Sequence, residues 1–316
     1  MILAAGLSPA WQQILVFDAL TPGEVNRASE AHWCASGKVL NVGRAIHSLD
    51  PELGAITISP LGGPAGQAIF DEFESDRIPL IRMAVPSPTR VCTTVIERPT
   101  GRITELVENA RPLRRDLLFA YEYMVGEAWR KMPRLSCAVF SGSLPPLADG
   151  SSPAESISRM MESLEVPVIL DIRGAELQAA LRHRPLLVKP NREELAATVG
   201  RPLLSDDDLL RAMREVNALG AQWVLVTSGG GPAWLASAKE CHRFTPPAVD
   251  VVNPIGCGDS VAAGIAVAVA RGEEVVEAVR YGLAAGADNA TRLLPARLDR
   301  DNLGRLYERI GHERIA

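Results

Sequence analysis

Asn253-Pro254-Ile255-Gly256-Cys257-Gly258-Asp259-Ser260 is followed by VAAGIAVAVA (261–270), a run with no charge and no proline. Together they read as a tight glycine turn opening a buried helix. The first N–H groups of a helix have no internal acceptor, and the helix dipole is positive there. Gly256 and Gly258 let the backbone curl and bring its N–H groups close to a ligand. The turn is therefore a candidate anion hole, suited to phosphate. Asp259 is the odd member, because a carboxylate at such a mouth repels a resting phosphate. Two readings stand side by side: a base that takes a proton from an attacking hydroxyl, or a helix cap.

Outward from that turn, the second half of the chain alternates short apolar runs with helical stretches. Residues 137–140, 168–171, 186–189 and 223–227 read as buried strands, and 154–163, 193–199 and 206–219 as helices. In the first half, 1–6 and 55–60 read as strands, and helices open at Ser36-Gly37-Lys38 and Gly62-Gly63-Pro64. Uniformly apolar strands between helices predict a parallel sheet covered on both faces. Ligands of such sheets sit at the carboxyl ends of the strands, so the loops SGSLPP, KPNREE and TSGGG should share one edge. Residues 89–97 instead alternate branched and polar residues and return through a hairpin as 102–108, while 25–34 mix polar and apolar residues and 13–17 alternate poorly but are rich in branched ones. They predict a second, small, half-exposed sheet.

The 316 residues and 47% hydrophobic content suit one large α/β unit. A formal net charge of −5 argues against a nucleic-acid partner. The five cysteines are scattered, with no CxxC pair, as in a reducing cytosol without structural zinc. The N-terminal MILAAGLSPAW lacks the basic region of a signal peptide, and the run after Ser260 is too short for a membrane span.

The loops, in order, carry a resemblance: PGEVNR (22–27), SGKVLNV (36–42), Thr89-Arg90, TELVE (104–108), SGSLPP (141–146), Leu170-Asp171, KPNREEL (189–195), TSGGGPAWL (227–235) and NPIGCGDSVAAG (253–264). Nearly end to end, the chain resembles the ribokinase-like sugar kinases of the phosphofructokinase-B group. It is most similar to the branch holding 1-phosphofructokinase and tagatose-6-phosphate kinase. The resemblance implies a ribokinase-like, doubly wound α/β domain over 1–316, with a small β lid from about 11–35 and 88–108. It implies transfer of the ATP γ-phosphoryl group to a sugar-phosphate hydroxyl in the cytoplasm, with Mg2+ as cofactor. Relatives often dimerise through the lid. The alternatives are a kinase of a free sugar or nucleoside, or a non-catalytic sugar-phosphate sensor.

By the same resemblance, Asp259 is the catalytic base, and the backbone of Gly256, Cys257 and Gly258 stabilises the transferring group. Asn191 and Glu194 help hold magnesium, partly through water; the same pair also reads as a helix capping box. Lys189 opens that loop and could meet a nucleotide phosphate. Thr227, Ser228, Gly229 and Gly231 match the nucleotide loop, and Asn289 lies where the last helix passes the adenine. On the acceptor side stand Gln12, Arg27, Gly37, Lys38, Asn41, Arg90 and Glu108. Lys38, Arg90 and Arg27 converging on a pocket would pair with a phosphate already on the sugar. The departures gather at this end: Ser8 and Gln12 replace the Asn and Asp of Asn-Pro-Ala-x-Asp, Ser36 and Val39 replace glycines, and Val107 replaces an asparagine. Nearer the base, Pro254 and Cys257 stand where threonine and alanine are usual, and Pro232 replaces a glycine. The two lost glycines are expected to add bulk where backbone meets substrate.

Overall fold

The computed structural model describes residues 1–132, 134–162 and 164–315. Strand β1 (Ile2–Ala5) opens the chain and leads into β2 (Ala10–Phe17) and β3 (Glu30–Ser36). Helix α1 (Lys38–Leu49), β4 (Ala55–Leu61), α2 (Gly63–Ser75) and β5 (Leu80–Ala84) follow, then the strands β6 (Arg90–Glu97) and β7 (Arg102–Val107). Helix α3 (Arg115–Lys131) returns the chain to β8 (Cys137–Ser141), α4 (Glu155–Met161), β9 (Val168–Asp171), α5 (Gly174–Ala180) and β10 (Leu187–Val188). Next come α6 (Arg192–Val199), α7 (Asp206–Ala218), β11 (Trp223–Val226), β12 (Ala233–Ser237) and β13 (Cys241–Thr245). The chain ends with α8 (Cys257–Ala270), α9 (Val275–Ala290), α10 (Arg300–Tyr307) and β14 (Gly311–Arg314).

Among the described residues, ten strands form one sheet in the order β14-β13-β12-β11-β10-β9-β8-β1-β4-β5. From β5 to β11 neighbours run parallel, and β12, β13 and β14 extend the edge antiparallel. Strand alternation divides the core. Ile2 and Ala4 join one apolar layer with α1 and α8, while Leu3 and Ala5 join the other with α3 and α7. The fold is the expected mostly parallel sheet covered on both faces, with a separate small sheet.

Helix α8 is buried from Asp259 to Ala268, which explains its lack of amphipathic period. It lies so close to α9 that a Cβ on Gly264 would stand 2.8 Å from the Gly282 Cα. Only glycine permits that approach, and it fixes where the N-terminus of α8 points.

The small sheet has the order β3-β2-β6-β7, with β2 and β6 pairing parallel at its centre. Its inner residues Ile14, Val16, Cys34 and Ile96 pack with Leu293 and Leu294 beyond α9. The expected lid strand at 25–34 begins later, at Glu30, because its first residues lie in an exposed loop. The predicted helix end at Ser163 and the chain end at Ala316 lie outside the described residues. The sequence analysis missed β5, α3, α5, α10 and the antiparallel edge. Val39 corrects another expectation: it is fully buried in the core beneath Gly6, so it adds no bulk to the site.

Candidate active site

Gly256 caps α8 with φ 79°, a conformation that other residues adopt rarely. A Cβ there would also meet Pro295 at 2.9 Å. The Cys257 N–H turns back onto the Pro254 carbonyl at 3.2 Å. Of the three expected donors Cys257 is thus engaged in the turn, and among the described residues the N–H groups of Gly256, Gly258 and Asp259 make no such bond. Two fully buried asparagines brace the turn. Asn253 accepts from the Ile255 N–H at 3.1 Å and donates to the Leu293 carbonyl at 2.8 Å. Asn289 donates to the Ile255 carbonyl at 2.8 Å and accepts from the Ser260 hydroxyl and the Ala296 N–H at 3.1 and 2.6 Å. The hydrogen bonds of Asn289 thus go to the loop and to the start of α8.

Asp259 lies buried in the first turn of α8, where its Oδ2 accepts from the Asn41 amide at 2.7 Å. Its neighbours form a charged cluster. The Lys38 ammonium is 2.9 Å from Asp171 Oδ1 and 3.7 Å from Glu194 Oε1, and Lys189 is 3.3 Å from Asp171 Oδ2. Three carboxylates thus face two ammoniums. Burial and the Asp171 charge push the Asp259 carboxyl up to about 6, against the opposing pull of Lys38, Asn41 and Lys189. Burial alone would raise Asp171, but Lys189 and Lys38 outweigh it and hold it below the ordinary carboxylate range. Burial alone would lower Lys38, but Asp171, Asp259 and Glu194 hold it above its usual value.

Asn191 and Glu194 do form the capping box of α6: Asn191 Oδ1 accepts from the Glu194 N–H at 2.8 Å, and Glu194 Oε2 accepts from the Asn191 N–H at 2.9 Å. The second Glu194 oxygen still faces Lys38 and the cavity. Helix capping and a role in the site are therefore compatible.

A cavity of about 660 Å³ lies between the lid and the carboxyl ends of the strands. Asp171, Lys189 and Thr227, which end β9, β10 and β11 or directly follow them, bring it the edge that the strand pattern predicted. Gln12, Gly37, Lys38, Asn41, Arg90, Gly256, Gly258 and Asp259 also line it. A second, largely apolar cavity of about 350 Å³ adjoins it. The two share Asn191, Thr227, Pro254 and Gly258. Gly229, Val249, Val251 and Leu283 are among the walls of the second, and Cys257 reaches it. Ser228 and Gly231 instead close the turn on each other, the Gly231 N–H donating to the Ser228 carbonyl at 2.9 Å.

Two expected acceptor residues are elsewhere. Arg27 is exposed in the loop between β2 and β3 and lines no cavity described here. Glu108 is exposed beyond β7, its carboxylate accepting from the Val91 N–H at 3.2 Å. Arg90 reaches the cavity, but its guanidinium already donates to the carbonyls of Ser8, Pro9 and Glu108 at 3.1–3.3 Å. The three cations therefore do not converge within this chain.

A model of the pfkB family carbohydrate kinases matches residues 11–296. The chain belongs to the pfkB family of carbohydrate kinases. Phosphofructokinase-2 from Escherichia coli, in complex with potassium, is similar with a TM-score of 0.85 at 26% sequence identity, over 98% of this chain and 99% of that one. The same enzyme in complex with fructose-6-phosphate gives 0.83 at 27% identity and the same coverage. Its tetrameric inhibited form gives 0.84 at 27%, over 98% of each chain. A possible 1-phosphofructokinase from Thermotoga maritima is similar in fold, with a TM-score of 0.88 at 20% identity over 100% of this chain and 99% of that one.

For this pfkB kinase, the sequence reading missed three site components. Asp171 was visible only as half of a dipeptide motif, yet it stands between both lysines. Glu105 lines the larger cavity where Glu108 was expected, and the two-residue period of β7 was the available signal. The apolar walls Val249 and Val251 come from an irregular loop, which gives no periodic signal at all.

Proposed function

We propose that this kinase transfers the γ-phosphoryl group of ATP to a hydroxyl of a sugar phosphate held in the larger cavity. The carrying observation is the placement of Asp259. It is a buried carboxylate raised to about 6, set at the positive end of α8 and next to the junction of two cavities. A base poised near the working pH can accept a hydroxyl proton as the oxygen attacks. Asn41 orients that carboxylate through its bond to Oδ2. The N–H groups of Gly258 and Asp259 and the Lys189 ammonium stabilise charge on the group in transfer. The apolar cavity suits the adenine, with Gly229 and Gly230 letting the nucleotide lie close.

Asn191 and Glu194 fit a hard divalent cation, because they are oxygen donors where the two cavities meet and one Glu194 oxygen faces the larger cavity. Magnesium held by them, largely through water, would neutralise phosphate charge. Sugar-phosphate specificity is supported by the likeness to Escherichia coli phosphofructokinase-2, whose complex holds fructose-6-phosphate. A free sugar is the second reading, favoured by the engaged Arg90 and the distant Arg27.

We further infer that residues 1–316 act as one unit in the cytoplasm; no helix among the described residues is long and apolar enough to cross a membrane. The lid closes over the acceptor to exclude water and pairs with a second copy through its outer face.

The test is an ATP-consumption screen over fructose 6-phosphate, fructose 1-phosphate, tagatose 6-phosphate, pentose phosphates, free sugars and nucleosides. Turnover with a hexose phosphate is expected. Turnover only with free sugars or nucleosides would replace the acceptor, and ATP binding without any turnover would support a sensor. Asp259→Asn should keep ATP affinity and cut turnover at least about a hundredfold, the scale of general-base catalysis.

A further inference from the structure

The roof of the acceptor cavity has a chemistry of its own. Along β2 and β6 the inward residues include Gln12 and Thr94, and on the edge strand β7 they include Ile103, Glu105 and Val107. The Gln12 amide nitrogen donates to Thr94 Oγ1 at 2.7 Å and to the Gln13 carbonyl at 3.2 Å. A carbonyl can only accept, so the amide orientation is fixed. Gln12 therefore keeps only its oxygen to offer a ligand. Glu105 stands directly across from Thr94 in the ladder. It faces the cavity, and no hydrogen bond or ion pair engages its carboxylate among the described residues.

The roof thus presents hydrogen-bond acceptors. Such a surface welcomes hydroxyl groups, which can donate, and repels a phosphate, which at neutral pH mainly accepts. We propose that Glu105 is a specificity-determining residue that accepts hydrogen bonds from the acceptor's hydroxyls beneath the lid. It supplies there the anionic acceptor that the neutral Gln12 does not. Any phosphate on the substrate then lies away from Glu105. This rests on the kinase reading of the cavity, and it assigns to Glu105 the contact that the motif suggested for Glu108.

The experiment is steady-state kinetics of wild type, Glu105→Gln and Glu105→Asp. Fructose 6-phosphate, fructose 1-phosphate, tagatose 6-phosphate and free fructose serve as acceptors, and the wild type's preferred acceptor is also tried as its single-deoxy analogues. Glu105 is exposed and makes no internal bond, so the melting temperature should not change. Glu105→Gln should raise the acceptor KM roughly ten- to a hundredfold, the scale of hydrogen bonds to a charged group. The KM for ATP should stay constant, Glu105→Asp should recover part of the loss, and the penalty for one deoxy analogue should shrink in Glu105→Gln. An unchanged acceptor KM, or an equal rise in the KM for ATP, overturns the assignment while leaving the kinase reading intact. A wild type that phosphorylates none of these acceptors overturns the assignment together with the proposed sugar-phosphate specificity.

Discussion

Asp259 carries an energetic cost that can be measured apart from its chemistry. Its carboxyl is raised to about 6 by burial and by Asp171. A raised carboxylate disfavours the folded state when ionised, so its contribution is unfavourable above about pH 6 and is relieved as pH falls toward the ordinary range. Asp259→Asn removes that charge, and the Asn41 amide can still donate to the remaining side-chain oxygen. At pH 8 the variant should be more stable than wild type by roughly 1–3 kcal/mol, as chemical denaturation would show; equal or lower stability would contradict the buried-charge account. The ionised form is also the proposed base, so kcat/KM should fall as pH drops through about 6. Lys38 pulls the Asp259 carboxyl down, so Lys38→Met should move that acid limb to higher pH. A limb that stays in place would mean that Lys38 does not sense Asp259.

Between elements, a buried ionic clamp joins the lid to the main sheet. Arg44 on α1 is 2% exposed and donates to the Ala35 carbonyl at the end of β3 and to Glu72 on α2, both at 2.7 Å. Glu72 also accepts from the Ala35 N–H at 2.5 Å and from Arg297 at 2.9 Å. Ala296, just before Arg297, donates to Asn289, the residue that braces the α8 turn. One cluster therefore ties the root of the lid, the helix bearing Lys38 and Asn41, and the segment holding the glycine turn before α8. Glu72→Gln leaves Arg44 buried without its counter-charge and should cost about 2–3 kcal/mol, somewhat less than a fully buried pair, because Glu72 keeps 15% exposure. A denaturation midpoint like that of wild type would show the clamp to be energetically idle.

Across the whole molecule, the lid leaves apolar surface uncovered. Strand alternation places Trp11, Leu15, Trp33, Val91, Val95 and Leu106 opposite the cavity face. Trp11 and Trp33 stack at 6.0 Å, and Trp33 and Leu106 are 46% and 58% exposed. A sheet face with stacked tryptophans and exposed aliphatic residues, charged only at its Glu97–Arg102 end, suits a symmetric contact with a second copy. Trp33→Glu would place two charges in that contact. Sedimentation velocity should then show a monomer where wild type sediments as a dimer; identical profiles would remove the lid from the interface.

The sequence by itself determined the alternation of buried strands and helices, the separate small sheet, the glycine turn at Gly256 and the acid that follows it. Those features are local: strand period, glycine conformation and helix opening are set within a few residues. The order of motifs along the chain also determined the family. Tertiary structure decided which of these residues meet. It brought Asp171 between Lys38 and Lys189, bonded Asn289 to the loop before α8, and buried Val39 in the core. It left Arg27 and Glu108 outside the cavity and set Glu105 inside it. The physical reason is that a side chain's partners here lie up to 248 positions away. Its direction follows strand register and helix packing, and no stretch of sequence contains those on its own.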